Sequence, residues 1–142
     1  MIQAVLRIML ISVFMLMLSA CPYAGELAAF TSDGCSVFPD GTISDSKKWL
    51  KCCVAHDKAY WLGGTYAERL AADNALEQCI TSVENKQLVA AMWAGVRVGG
   101  SPYWFSPFRW SYGWPYTRGY RAVSDEEKAM AESLLNEFDA EE

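Results

Sequence analysis

The chemistry this chain could perform is concentrated in Cys52-Cys53-Val54-Ala55-His56-Asp57-Lys58-Ala59-Tyr60, which sets the only histidine of the sequence beside a carboxylate and two adjacent cysteines. An imidazole oriented by a carboxylate can take a proton from water, and a carboxylate among backbone carbonyls suits a hard cation such as calcium. A metal site built from Cys52, Cys53, His56 and Cys79 is a competing reading. Neighbouring side chains on a helix diverge by about 100°, however, so the two cysteines do not easily converge on one ion. Thiol redox chemistry at Cys52-Cys53 is a further option. No Gly-x-Ser-x-Gly turn occurs, which argues against a lipase of the serine type.

Those residues need rigid elements to hold them. Ser44 or Asp45 is placed to cap a helix over Ser46 to Leu62, and Gly63-Gly64 closes it. Thr65-Tyr66-Ala67-Glu68 reads as a capping box, so a second helix begins one short turn later. Two helices joined so tightly are expected to fold back antiparallel. Residues equally far from the turn then face one another, which brings His56 near Asp73 and lets Cys52 approach Cys79. Spacings of four put Cys52, His56 and Tyr60 on one stripe and Ala72, Leu76 and Ile80 on another. Before this pair, Cys35-Ser36-Val37-Phe38-Pro39-Asp40-Gly41, with Gly34 ahead of it, reads as a loop rich in available carbonyls.

The start of the chain concerns destination rather than chemistry. Arg7 precedes an apolar run from Ile8 to Leu18 that is short for a bilayer span and suited to an export signal. It ends in Leu18-Ser19-Ala20-Cys21, similar to a bacterial lipoprotein signal, in which Cys21 would carry lipid. An ordinary cleaved signal or an uncleaved anchor helix fits the same residues. On any of these readings residues 1–20 are an export segment and residues 21–142 one exported domain, in the envelope or secreted. Setting Cys21 aside leaves Cys35, Cys52, Cys53 and Cys79, an even number, and two disulfides are expected outside the cytoplasm. A net charge of −5 and a pI near 4.9 argue against a nucleic-acid surface.

Beyond Cys79 a helical pattern runs through Leu88, Val89, Met92 and Val96 to Gly99-Gly100, with room for a break around Ser82 to Asn85. Pro102 to Tyr120 then holds nine aromatics in nineteen residues, with three prolines and no helix or strand period. Such a segment either wraps the helices to complete a small core or forms a lipid-facing rim. On the second reading Trp104, Arg109, Trp110 and Trp114 meet headgroups. Ser124-x-x-Glu127 is another capping box and opens a C-terminal helix over 124–140, with Met130, Leu134 and Phe138 on its apolar stripe. The fold expected is therefore all-α: a core over 34–98 built on a disulfide-linked helix pair, an irregular aromatic segment over 99–121, and a terminal helix.

Cys-Cys-x-x-His-Asp-x-x-Tyr, followed on the next helix by an aspartate and then by a cysteine six positions later, resembles secreted phospholipase A2. The resemblance covers about Gly34 to Cys79. The family carries two further cysteines, bonded to each other, where this chain has Ala59 and Ala72; both partners are replaced together. The family pairing joins Cys52 to Cys79 and leaves Cys35 for Cys53. The family's calcium loop, Gly-Cys-x-Cys-Gly-x-Gly-Gly, is matched in register by Gly34 to Gly41, with 21 residues from Cys35 to His56 and with Phe38 and Asp40 in place of two glycines. The resemblance implies a helix pair of the phospholipase A2 type. It implies calcium on the Asp57 carboxylate and the Ser36, Phe38 and Asp40 carbonyls, with the Phe38 N–H aiding the oxyanion. It further implies that His56 activates water against a glycerophospholipid ester, that Asp73 fixes its tautomer, and that Tyr60 bonds Asp73. The alternative function is a non-catalytic lipoprotein of the same fold that binds lipid or a protein partner.

Overall fold

A computed structural model of the chain describes residues 26–141, apart from 83 and 85. The expected export segment, and Cys21 with it, lies outside the described residues. The described chain is all-helical: α1 (Leu50–Leu62), α2 (Tyr66–Thr81), α3 (Lys86–Gly99), a 3₁₀ turn (Tyr116–Arg118) and α4 (Asp125–Glu141). No strand occurs among the described residues, and no described helix is long and apolar enough to cross a membrane.

Helix α1 starts four residues later than its sequence suggests, and neither Ser44 nor Asp45 caps it. Asp45 closes a turn instead, its carbonyl accepting the N–H of Thr42 (2.7 Å) and of Lys48 (3.3 Å). Trp49 then occupies the N-cap without a capping side chain, because its own N–H donates to the Asp40 carbonyl (3.0 Å) and its indole to the Pro39 carbonyl (2.6 Å). Burying Trp49 against the loop thus outweighs extending the helix. The far end is as expected: Gly63, at φ +75°, takes a backbone conformation that side chains disfavour, and its N–H returns to the Ala59 carbonyl. The Thr65–Glu68 capping box is complete, with the Thr65 hydroxyl accepting the Glu68 N–H (3.3 Å) and Glu68 accepting the Thr65 N–H (2.7 Å). The helical pattern breaks between Thr81 and Lys86.

Two disulfides, Cys35–Cys53 and Cys52–Cys79, tie the loop to α1 and α1 to α2. They span 18 and 27 residues, and cross-links of that length restrict the unfolded chain by roughly 3 kcal/mol each. They place the folded chain in an oxidising compartment. One apolar cluster gathers both bridges with Trp49, Leu76, Ile80, Val89 and Met92. A second, on the other side of α1, joins Leu27, Phe30, Trp61, Trp114 and Ala131.

Apart from the 3₁₀ turn the aromatic segment has no regular structure, and its packing follows from the end of α1. The last carbonyls of a helix have no partner within it. Here the N–H groups of Ser111 and Gly113 meet the carbonyls of Tyr60 (2.7 Å) and Trp61 (3.1 Å). The indoles of Trp114 and Trp110 donate to the carbonyls of Leu62 (2.7 Å) and Gly64 (2.9 Å). For Trp110 and Trp114, both buried by the wrapping, this corrects the expectation of a headgroup-facing rim; Arg109 is buried too, while Trp104 alone of the four lies at the surface, 60% exposed.

Helix α4 opens with the expected Ser124–Glu127 box. Its inward stripe is rotated from the one anticipated: Glu127 and Ala131 are buried, Leu134 and Phe138 pack on the second cluster, and Met130 faces solvent. Glu127 sets that rotation. It accepts both guanidinium nitrogens of Arg118 (2.9 and 2.8 Å) and one of Arg121 (2.7 Å). The Arg118 hydrogen bonds hold its carboxyl down at about 2, against the opposing pull of burial. A depressed carboxyl stabilises the fold fully above its unfolded value near 4.5, and that contribution is lost as the pH falls toward 2. Glu127→Gln should lower stability by about 3 kcal/mol at pH 7, since it leaves Arg118 buried without a carboxylate. Thermal melts between pH 2 and 5 should show a smaller loss of Tm in the variant than in wild type.

Candidate active site

Helix α1 presents His56 and Tyr60 one turn apart, and α2 presents Asp73 against them. The Nε2 of His56 lies 2.8 Å from Asp73 Oδ1, and the Tyr60 hydroxyl donates to the same oxygen at 2.8 Å. Asp73 is wholly buried and His56 is 8% exposed. Burial opposes ionisation of Asp73, but hydrogen bonds from His56, Arg97 and Tyr60 outweigh it and hold the carboxyl below its ordinary range. Facing a carboxylate, Nε2 carries the proton, so a further proton taken up by the ring goes to Nδ1. The pKa of Tyr60 is driven up by burial and by Asp73, which keeps its phenol a donor. Its ring stacks beside the imidazole at a centroid distance of 4.2 Å and meets Trp110 edge-on at 5.0 Å.

Two members of this network are absent from the sequence reading. Arg97 on α3 donates to Asp73 Oδ2 at 2.6 Å and to the Tyr66 hydroxyl at 3.0 Å. Arg69 donates its Nε to the Tyr60 oxygen (3.0 Å) and lies 3.9 Å from Asp73. The Nη2 of Arg69 reaches the carbonyls of Val96 (2.9 Å) and Arg97 (2.8 Å), near the end of α3, and its Nη1 donates to the Tyr120 hydroxyl (2.6 Å). The i,i+4 spacing of Arg69 and Asp73 was a usable signal. Nothing in the local sequence ties Arg97 to a residue on the preceding helix.

His56 lies on the wall of a cavity of about 1010 Å³, at the upper end of the range for small-molecule sites. Met92 and Val96 of α3, Phe38 of the loop, and Phe105, Phe108 and Tyr112 of the aromatic segment make its surface largely apolar. Gly95, Gly99 and Gly100 keep the α3 side open, and a side chain at Gly100 would strike the Tyr60 ring.

Asp57 and the loop line the same cavity. The Asp57 carboxylate accepts the Ser32 hydroxyl at 2.6 Å, and burial, more than the repulsion of Asp33 and Asp40, raises its pKa to about 6. Of the implied calcium ligands, Ser36 sits at φ +55° with its hydroxyl on Asp33. The Asp40 carbonyl accepts the Trp49 N–H, and the Asp40 carboxylate accepts the Cys35 N–H at 2.7 Å. The Phe38 N–H, expected to face an oxyanion, donates to the Cys35 carbonyl at 3.0 Å; the disulfide-tethered loop closes a turn on itself there. Among the described residues no three His, Cys, Asp or Glu side chains gather as metal ligands, so a cation here would rely on loop carbonyls beside Asp57. The chemistry of this donor set fits a hard cation: all oxygen, with excess negative charge that burial leaves uncompensated.

Comparison with protein-family models, with curated proteins and with solved structures found no match to this chain.

Taken alone, the site offers an imidazole bonded to a buried carboxylate, and a second, partly buried carboxylate, on one largely apolar wall. A carboxyl whose folded pKa is raised from 3.8 to about 6 loses stability as the pH climbs through that interval. Each pKa unit is worth about 1.4 kcal/mol, and water reaching the half-buried group screens part of it. Without added cations, Asp57→Asn should therefore gain on the order of 1–2 kcal/mol at pH 7 and flatten the dependence of stability on pH between about 4 and 6, read by denaturant titration.

Proposed function

We propose that this protein is an exported, phospholipase A2-like hydrolase that cleaves an acyl ester of a glycerophospholipid, with His56 as the base, Asp73 as its orienting carboxylate and Tyr60 as the support for Asp73. The observation that carries the reading is the buried His56–Asp73 hydrogen bond of 2.8 Å on the wall of a large apolar cavity. A helix pair of the phospholipase A2 type, running antiparallel, is supported by the contacts Cys52–Cys79, His56–Asp73 and Tyr60–Arg69, which occur in reverse order along the two helices. Ala59 and Ala72, which stand where that family has a bonded cysteine pair, border one small cavity of about 130 Å³.

In the proposed reaction a water on the cavity side gives its proton to Nδ1 of His56 as its oxygen bonds to the ester carbonyl carbon. The carbonyl electron pair moves onto oxygen. When the tetrahedral species collapses, the bond to the alcohol oxygen breaks and that oxygen takes the proton back from Nδ1, so the base is restored. Asp73 stays ionised throughout and steadies the imidazolium through Nε2–H. Calcium held by Asp57 and the loop carbonyls would supply positive charge for the phosphate and the oxyanion. The acyl chain lies along the apolar wall, and the exposed Val37, Phe105 and Phe108 at its rim, with Trp104 nearby, face a lipid surface. Lipid on Cys21 would hold the domain there.

A second reading, a non-catalytic lipoprotein that binds lipid or a protein partner, is favoured by the loop. Both the Phe38 N–H and the Asp40 carbonyl are already bonded within the protein.

Fatty-acid release from phospholipid vesicles decides between them. Wild type should release fatty acid in a calcium-dependent manner, and His56→Gln should lower the rate by about 10²–10⁴-fold. Equal, background rates for the two proteins would leave only the lipid-binding reading. The family likeness has its own check: the double variant Ala59→Cys, Ala72→Cys should form a third bridge under oxidising conditions, and two additional titratable thiols would count against the alignment.

A further inference from the structure

Charged side chains are seldom buried unless they are paired. The five described arginines divide sharply on this rule: Arg69 and Arg97 pair with Asp73, Arg118 and Arg121 pair with Glu127, and Arg109 has no carboxylate among the described residues. Yet Arg109 is only 9% exposed, and it lies on the wall of the large cavity with His56. Its NH1 donates to the Ser111 carbonyl (2.9 Å) and its NH2 to the Trp114 carbonyl (2.6 Å). These bonds fix the guanidinium in place but leave its charge unbalanced, and a guanidinium has five N–H donors in all. The neighbouring ring of Tyr116, 5.8 Å from the guanidinium carbon, offers only a weak counter-field. Burial accordingly pushes the pKa of Arg109 down.

A fixed, buried cation on the wall of an apolar chamber is the complement of an amphiphile with a negative end. We infer that Arg109 receives the anionic group of an amphiphilic ligand, a carboxylate or a phosphate ester, whose hydrocarbon chain lies against Met92, Val96, Phe105 and Phe108. Arg109 is a binding residue in this scheme. It determines which ligands the cavity retains and fixes which end of the molecule enters that part of the chamber. The inference rests on the cavity being the ligand site of the proposed hydrolase, and it adds the charge of the ligand to that reading. A carboxylate would come from a freed fatty acid and a phosphate from a lipid headgroup; the guanidinium fork suits both.

Titration calorimetry of the full oxidised chain with decanoate, decyl phosphate and decanol, all below their aggregation concentrations, tests this. The two anions should bind at least about tenfold more tightly than the alcohol of equal chain length. Arg109→Gln should erase that preference while decanol binding persists, and Arg109→Lys should restore part of it. Whichever anion binds more tightly identifies the source. Should Arg109→Gln fail to fold, the wild-type comparison still decides, because equal affinity for anion and alcohol overturns the inference. Fatty-acid release is measured on the same preparations. Charge-blind binding with hydrolysis removes this inference and leaves the hydrolase reading; Arg109-dependent binding without hydrolysis does the reverse.

Discussion

Removing the Asp73 carboxylate from water costs several kcal/mol unless charge and hydrogen bonds are returned to it inside the protein. They come from three helices at once: His56 and Tyr60 on α1, Arg69 on α2 and Arg97 on α3. The geometry of the helical core is tied to satisfying this one group. A shift of α3 that parted Arg97 from Asp73 would take away one of the carboxylate's cationic partners, and a rotation of α1 would withdraw both Tyr60 and His56. A carboxylate shared in this way has little freedom, and the imidazole bonded to it inherits that rigidity. Such positional control is what a general base requires, since proton transfer is sensitive to small errors of placement.

A domain of this size has little apolar surface with which to hold such a network, and the remainder of the chain compensates in two ways. The disulfides limit the freedom of the unfolded state, and the aromatic segment supplies large side chains with only one short 3₁₀ turn as a regular element. That segment is not a passive cover. By donating backbone and indole N–H groups to the carbonyls at the end of α1, it fixes the helix terminus just beyond Tyr60. Its other residues, Phe105, Phe108 and Tyr112, then become a wall of the cavity beside His56. Stability and the shape of the proposed lipid chamber therefore come from the same stretch.

Electrostatics divide the cavity wall. Near the loop, burial makes the charge of Asp57 expensive, and the carboxylates of exposed Asp33 and partly exposed Asp40 add repulsion to it. Arg109, in contrast, is a buried positive charge without a carboxylate among the described residues. Between these lies apolar surface. A neutral hydrocarbon would satisfy the middle alone, whereas an amphiphile with polar groups along its length engages the whole wall. On the proposed reading, this distribution suits a lipid better than a small polar substrate.

Much of the helical frame could be read directly from residue types. Gly63-Gly64 and the Thr65–Glu68 box mark a tight turn, and counting outward from it pairs His56 with Asp73 and Cys52 with Cys79, because the turn and the helical repeat are local properties. The Ser124–Glu127 box marked α4 for the same reason. Other features needed the folded chain. The start of α1 depends on Trp49 burying itself against Pro39 and Asp40. The inward turn of Trp110 and Trp114 depends on helix carbonyls some fifty residues away, and a segment without periodicity carries no sign of which face is buried. Met130 and the stripe of α4 were displaced by the pull of Arg118 on Glu127. Arg97 joins Asp73, and Arg109 lacks a carboxylate, only because three dimensions decide which charges meet. Local sequence specifies elements and caps through interactions a few residues long; the partner of a buried charge is set by packing between distant segments, and no short-range pattern records it.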